Sequence, residues 1–467
     1  MRSGYLWLAS FVVYPLVGTP LLRLPAFRRF GFATRVVLAG GVGLVLVSWT
    51  MTAFALTGVR WGPPLLLVSV AVAFALRRAL RGYPQVPSPR VRGEGQGEGR
   101  SSPSPLWGEG RGEGRPPVTT VAGLAITAIS ILAAFAATLS GLATSSDLLL
   151  FWGPKAQQFA AARTIDVDFL RAPFLEYLHV YYPPLVTNVF AFGATITGRF
   201  PWGAATLTFP LLLAATAVGL AGILKTESNA PSAAATTALV TSAIGLLGVH
   251  AMVAGNADPF LLFFEILALA LLLTPIAASD AGKLAAGLLL AGAAGSKVEG
   301  LAFLLATVSV FLLVDRERRG SIPKTLLLLA GPTLVGLGTW FGFGAARRLF
   351  YGYQGYGRFL DVRWDHLDEM VAGFGSAFWK SGYALPFAVP LLVLLLTPGK
   401  TRRALVPIGI AVALTGFIAF TYLHGETDPK EWIGWSAARV FSPITALLAL
   451  TAHCSRAAPD AGDERTA

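Results

Sequence analysis

The chain has 467 residues, 54% of them hydrophobic and only 13% charged, with a formal net charge of +12. So apolar a composition excludes a protein with an ordinarily solvated surface, and apolar runs of about 17 to 25 residues recur at the length a helix needs to cross a bilayer. The single cysteine, Cys454, excludes an internal disulfide framework and a cysteine-built metal cluster.

The runs lack the period-two alternation of a barrel, and backbone in lipid must satisfy its own hydrogen bonds, so the expected fold is an all-α polytopic membrane protein. In chain order the runs predict about thirteen spans, at 5–21, 36–57, 62–80, 118–141, 203–224, 234–254, 258–276, 282–296, 300–314, 325–346, 384–398, 405–423 and 438–453. The segment Met1 to Pro20 lacks a basic n-region and a small-residue cleavage site, so it reads as a first span rather than a signal peptide. The runs 282–296 and 300–314 are short and meet around Gly295-Ser296-Lys297-Val298-Glu299-Gly300, which suggests a kinked hairpin.

Orientation follows from the basic residues. With Arg23, Arg28, Arg29 and Arg35 on the cytoplasmic side, the same side receives Arg77, Arg78, Arg81, Arg316, Arg318, Arg319, Lys324, Lys400, Arg402 and Arg403. This positive-inside bias accounts for the net charge, so the bilayer is the expected partner and no nucleic acid is required. The parity holds only if the apolar stretch from Pro183 to Gly198 does not cross, which makes it a half-inserted helix on the outer side.

Four regions result: an N-terminal three-helix segment, 1–83; an insert, 84–117; a core, 118–314, with a first outer loop at 143–182; and C-terminal helices, 315–467, with a second outer loop at 349–382. The insert nearly repeats Arg92-Gly-Glu-Gly-Gln-Gly-Glu-Gly-Arg100 as Trp107-Gly-Glu-Gly-Arg-Gly-Glu-Gly-Arg115. With no apolar face to bury, it is expected to be a disordered cytoplasmic loop.

The first outer loop opens with Ser146-Asp147, continues through Phe151-Trp152-Gly153-Pro154-Lys155-Ala156 and closes with His179-Val-Tyr-Tyr182-Pro183-Pro184-Leu185. A carboxylate at the membrane surface can act as a general base, and a nearby lysine can neutralise a phosphate leaving group. Further on, Gly255-Asn256-Ala257-Asp258-Pro259 falls at the outer end of a span, and Glu265 follows at i+7 on about the same helix face. An acid at that depth must face protein or a water-filled cleft. Asp258 before proline also suits a helix N-cap, and Glu265 also suits an interhelical hydrogen bond. Lys297, Glu299 and Arg439 complete a set of charges on one side at about one depth. No ligand spacing marks a cofactor; a divalent metal held between Asp147 and Asp258 is the one ion site these acids suggest.

In its order of Asp147, Trp152-x-x-Lys155-Ala, Tyr182-Pro-Pro-Leu, Gly255-x-Ala-Asp258-Pro and Ser296-Lys-x-Glu-Gly300, the sequence resembles the GT-C membrane glycosyltransferases. The nearest branch is the bacterial group related to lipopolysaccharide-modifying transferases, protein mannosyltransferases and aminoarabinose transferase. The likeness covers roughly 118–314. It implies a GT-C-like bundle of about thirteen transmembrane helices in the cell inner membrane, with the active site on the periplasmic side. It further implies transfer of a sugar from a polyprenyl-phosphate carrier to an extracytoplasmic lipid, glycan or protein acceptor, with inversion. Carried over, Asp147 is the acceptor-activating base and Asp258 a second catalytic acid. Lys155, Lys297 and Arg439 bind the donor phosphate, while Trp152, His179, Tyr182, Pro183, Glu265 and Glu299 line the substrate cavity. Arg358 and Arg363 are further candidates for the phosphate, and Tyr351, Tyr353, Tyr356 and Trp364 of the second loop for covering the donor sugar. A multi-pass transporter and a catalytically inactive structural subunit are the alternative readings.

Overall fold

The computed structural model describes residues 2–81, 117–140, 147–172, 180, 182–247, 255–349, 362–380, 384–397, 402–424 and 428–456. Among them there are helices and no strand. The insert apart from its last residue, Ser146, His179, Tyr351, Tyr353, Tyr356 and Arg358 lie outside the described residues.

The chain begins with α1 (Arg2–Ser10) and α2 (Val13–Leu22). The sequence suggested one continuous helix here. The break at Phe11 and Val12 has its cause in Pro15, which has no N–H to donate to the carbonyl of Phe11. Helix α3 (Phe32–Thr57) ends on Gly58, whose φ of 75° gives a left-handed stop, and α4 (Pro63–Arg81) follows it. The backbones of α2 and α3 touch at glycines: a Cβ on Gly43 would lie 1.9 Å from the Tyr14 carbonyl oxygen, and one on Gly18 2.1 Å from that of Ala39. Such small-residue contacts let helices in an apolar medium gain dispersion energy without a hydrophobic drive.

Next come α5 (Val118–Leu139), a π-helical turn at Asp147–Trp152, α6 (Gly153–Ala162), α7 (Val167–Leu170) and α8 (Leu185–Thr197). With 13 residues, α8 is about 20 Å long, short of the roughly 30 Å hydrocarbon core. Residues on either side of it meet the same short segment. Before it, Tyr182 packs against Phe151 and Trp152, with ring centroids 5.7 and 6.1 Å apart. After it, the Trp202 ring closes over Gly153, where a Cβ would meet it at 2.3 Å. The helix is seated on the N-terminal helices: the buried Asn188 amide donates to the Ser48 carbonyl, the Ser48 hydroxyl and the Thr52 hydroxyl, each at 3.1 Å. The Tyr14 hydroxyl donates to the Val189 carbonyl at 3.3 Å.

The middle of the chain forms α9 (Trp202–Thr206), α10 (Thr208–Leu224), α11 (Ala230–Ser242), α12 (Asp258–Leu272), α13 (Asp280–Ser296) and α14 (Val298–Val314). All 15 residues of α12 are buried, which makes it the axis of the bundle. Helices α13 and α14 form the hairpin expected from sequence, with a single residue, Lys297, between them in extended conformation. The turn is so tight that a Cβ on Gly300 would fall 2.1 Å from the Ala293 carbonyl oxygen.

The remainder comprises α15 (Arg316–Arg319), α16 (Ile322–Ala346), α17 (Leu367–Lys380), α18 (Ala384–Leu396), α19 (Leu405–Tyr422), α20 (Pro429–Val440) and α21 (Ser442–Arg456). The sequence-derived span 438–453 is divided at Phe441, just ahead of Pro443 in the first turn of α21. Within the second outer loop lies a helix the sequence did not announce: α17 packs on α20, with Gly373 against Ile433 and Lys430, and turns Val371 and Trp379 outward.

Among the described residues seven helical stretches are long and apolar enough to cross a membrane, as in a helical membrane protein: Ser3–Leu22, Phe32–Thr57, Pro63–Arg81, Val118–Leu139, Trp202–Leu224, Ile322–Ala346 and Leu405–Tyr422. The count of about thirteen from hydropathy exceeds this because several apolar runs form shorter helices. Ala230–Leu246, Val298–Val314 and Phe387–Leu396 are of that kind, and the run beginning at Asp258 is covered by protein on every side.

The charges sort to two ends of α12. At its C-terminus Arg318 donates to the carbonyls of Leu272 and Thr274 at 3.0 and 3.1 Å, which satisfies helix-end acceptors. Near it, Glu227 faces Arg29 at 3.9 Å and Arg403 at 4.0 Å, and Lys324 pairs with Asp280 at 2.6 Å. These are residues that the positive-inside reading placed together. The other end holds Asp258.

Replacing Gly43 by leucine is expected to lower stability by at least about 1–3 kcal/mol, because a backbone oxygen cannot yield as a side chain can. Thermal unfolding of the purified protein in detergent checks this, with Gly375→Ala, where a Cβ meets nothing within 4 Å, as the silent control.

Candidate functional site

Asp258 opens α12, with Pro259 behind it, a residue whose lack of an N–H costs nothing in a first turn. The cap position is Ala257 and no side chain caps it, so the N-cap role suggested by sequence falls away. The Asp258 carboxylate is instead held by charge pairing, although its buried Oδ2 accepts no hydrogen bond. Its Oδ1 accepts from Lys297 Nζ at 3.3 Å, and its Oδ2 lies 3.6 Å from Arg439 Nη1. The helix N-terminus adds further favourable potential.

Lys297 reaches this point because it is the tip of the α13–α14 hairpin, and it also holds Glu299 Oε1 at 2.8 Å. Arg439 comes from the last turn of α20, and the same Nη1 lies 3.9 Å from Oδ2 of Asp147. The guanidinium therefore stands between Asp147 and Asp258, in the place the sequence reading offered to a divalent metal. Among the described residues no three His, Cys, Asp or Glu side chains come together as an ion would require.

Asp147 begins the π-helical turn and has the most open side chain of the group, 42% exposed against 3% for Asp258. Burial, helped by the neighbouring Asp258 charge, pushes its carboxyl above the ordinary range against the pull of Arg439 and Lys297. The two acids thus differ in kind: Asp258 is buried between cations, and Asp147 is partly exposed.

Beside Asp258 lies a small cavity, lined by Asp258, Glu265, Lys297, Glu299 and Arg439 with apolar walls from α19, the end of α20 and the start of α21. Glu265 is 2% exposed, two turns into α12, and its Oε2 makes no hydrogen bond. The interhelical hydrogen bond that the sequence allowed for it is therefore absent at that oxygen. The wall residues Leu414, Phe417 and Ile418 were not visible as site residues in the sequence, since nothing separates them from any other apolar helix positions.

The structure thus brings together Asp147, Asp258, Lys297, Glu299, Glu265 and Arg439. Tyr182 and the buried Pro183 stand at the start of α8 against the wall formed by Phe151 and Trp152. Lys155 is placed elsewhere. It is 3% exposed, with Nζ 3.7 Å from the Phe151 ring centroid and 4.9 Å from that of Trp152, and it does not line the cavity. Burial drives its pKa well below the usual lysine value, so it belongs to the aromatic packing of the loop. Arg363 and Trp364 precede α17, where the Arg363 N–H donates to the Leu423 carbonyl at 2.9 Å. His179 lies outside the described residues.

Lys297→Met leaves Asp258 short of a buried partner and is expected to cost about 3–5 kcal/mol, much of it recovered in the Lys297→Met/Asp258→Asn double variant. Thermal unfolding of the variants in detergent reads the cycle; additive losses would show that the pair is not coupled.

Comparison with family models, with curated proteins and with solved structures returns no match to this chain, so the chemistry of the site rests on its own residues.

Proposed function

We propose that the chain is a GT-C-type glycosyltransferase of a cell inner membrane, with the Asp147 end of the bundle facing the periplasm. The observation that carries this reading is the pairing of a partly exposed carboxylate, Asp147, with a buried one, Asp258, around the shared guanidinium of Arg439, which also lines a small cavity. The gathering of Arg29, Arg318, Lys324 and Arg403 at the opposite end supports the orientation. The shortness of α8, with Tyr182 before it and Trp202 after it both against residues 151–153, supports its reading as a half-inserted helix.

In this mechanism Asp147 takes the proton from an acceptor hydroxyl or amine as that atom bonds to C1 of the sugar. The bond from C1 to the phosphate oxygen breaks, and polyprenyl phosphate leaves with the electron pair, inverting the anomeric centre. Arg439 and Lys297 supply the positive charge for the departing phosphate. Arg439 suits this best, since a planar fork already shared between two carboxylates can turn one face to a phosphate. Asp258 keeps both cations in place. Any of a lipid, a glycan or a protein outside the cytoplasm could present the acceptor. A transporter is the second reading, favoured by a carboxyl as deep as Glu265.

Purified wild-type protein is expected to move radiolabelled sugar from bacterial polyprenyl-phosphate donors to a membrane extract, and Asp147→Asn to lose about 10²- to 10⁴-fold in rate with its fold intact. Equal rates in the two would remove Asp147 from the chemistry, and gradient-driven uptake without transfer would favour the transporter. A general base must be ionised, so transfer should fall with acidification. Because the Asp147 pKa is raised, that fall should begin above the roughly pH 4 of an ordinary aspartate. A rate flat from pH 7 down to the ordinary aspartate range would contradict the assignment.

A further inference from the structure

Helices α2, α3 and α4 contribute no residue to the cavity beside Asp258, and their charges are all of one sign. Up to Arg92 the chain contains neither aspartate nor glutamate; its first acid is Glu94. Most of the basic residues before Gly82 fall in the stretches 23–35 and 77–81. The first stretch joins the end of α2 to the start of α3, and α4 runs back to the same end.

Arginines there terminate the seams along which the three helices pack. On α3, Arg35 precedes Ala39 and Gly43 at intervals of four, the two residues that touch α2 through Gly18 and Tyr14. On α4 the buried Leu65, Ser69 and Ala73 follow the same interval, and the Ser69 hydroxyl donates to that of Thr50 on α3 at 3.0 Å. The next two positions of that row are Arg77 and Arg81. On α2, Arg23 is the C-cap residue, one turn past Thr19, whose carbonyl accepts its N–H at 3.2 Å. Arg77 lies close enough to Arg23 and Arg81 for both charges to act on it.

Such a gathering is unfavourable by itself. The Nε atoms of Arg35 and Arg77 are sealed from solvent and make no hydrogen bond. Among the described residues no carboxylate pairs with Arg23, Arg35, Arg77 or Arg81, although Arg29 at the same end reaches Glu227 at 3.9 Å. Beside the cations the surface turns apolar, with Phe32 of α3 and Leu67 and Phe74 of α4 exposed. Positive charge at the end of a membrane-length helix, above an apolar flank, complements an anionic amphiphile.

We propose that the converging ends of α2, α3 and α4 bind an anionic phospholipid whose headgroup carries two phosphates, held by Arg23, Arg35, Arg77 and Arg81, with its acyl chains along α4. The guanidinium fork matches phosphate oxygens in pairs, and four such groups exceed the single charge of a monophosphate headgroup. A soluble phosphate would use the cations and leave the apolar flank without a part. The site stands apart from the transferase reading, since it lies at the end of the bundle away from Asp147.

The full chain, purified in dodecyl maltoside, would be examined by native mass spectrometry for retention of cardiolipin, phosphatidylglycerol and phosphatidylcholine. Cardiolipin should bind about 10-fold or more tighter than phosphatidylcholine, with phosphatidylglycerol between them. Arg35→Gln/Arg77→Gln should remove this preference, and Arg60→Gln, at the opposite end of α3, should leave it intact. If the double variant does not fold, Arg81→Gln, at an exposed position, should still weaken cardiolipin about 5-fold. Equal retention of the three lipids by wild type would overturn the proposal, as would a preference unchanged in the arginine variants. Displacement of cardiolipin by an equal concentration of inorganic pyrophosphate would make this a site for soluble phosphate and sink the lipid assignment. A preference seen only after Glu94, Glu98, Glu109 and Glu113 are all replaced by glutamine would give the arginines to the insert instead, and would also overturn it.

Discussion

The fold turns on one buried charge. Asp258 stands at the head of a helix with no exposed residue, and a carboxylate in such a place is tolerable only if cations are brought to it. Two distant parts of the chain do so: the tip of the α13–α14 hairpin presents Lys297, and α20 presents Arg439. At the other end of the same helix Arg318 covers the carbonyls, so α12 is tied at both ends by basic residues from outside it. The open carboxylate of Asp147 is then placed through Arg439, and thus depends on the same centre.

The polar members of the site were legible in sequence because charges are scarce in so apolar a chain and expensive wherever they interrupt an apolar run. Asp258, Glu265, Lys297, Glu299 and Arg439 all stood out for that reason, and all line one cavity. Their pairing was not legible, since sequence spacing says nothing of a contact between residues as far apart as Lys297 and Asp258. Lys155 shows the limit of a motif. The pattern Trp-x-x-Lys marks a lysine near the chemistry, but α6 turns its side chain back onto Phe151 and Trp152, where dispersion and the ring faces hold it.

For the fold, hydropathy found the apolar helices but could not tell lipid from protein as their surroundings. The residues of α12 are as apolar as those of a span and are enclosed entirely by other helices. Helix α17 escaped for the opposite reason. Its glycines and charges gave the segment the look of a loop, although Met370, Gly373 and Ala377 form a stripe at helical spacing that faces inward. That the stretch Pro183 to Gly198 is too short to cross was expected from charge parity, and α8 within it has 13 residues, with Tyr182 before it and Trp202 after it both against residues 151–153.

The arrangement around Asp258 also bears on how the chain is made. As α12 leaves the ribosome its acidic head has no partner, and Lys297 follows only 39 residues later. An aspartate or glutamate in a nascent apolar segment opposes its release into lipid, and α12 carries one of each. Its stable integration therefore waits for the hairpin behind it. The tight α13–α14 turn, with one residue between two helices, fixes the lysine at the hairpin tip, so integration of α12 is expected to be coupled to that of the hairpin.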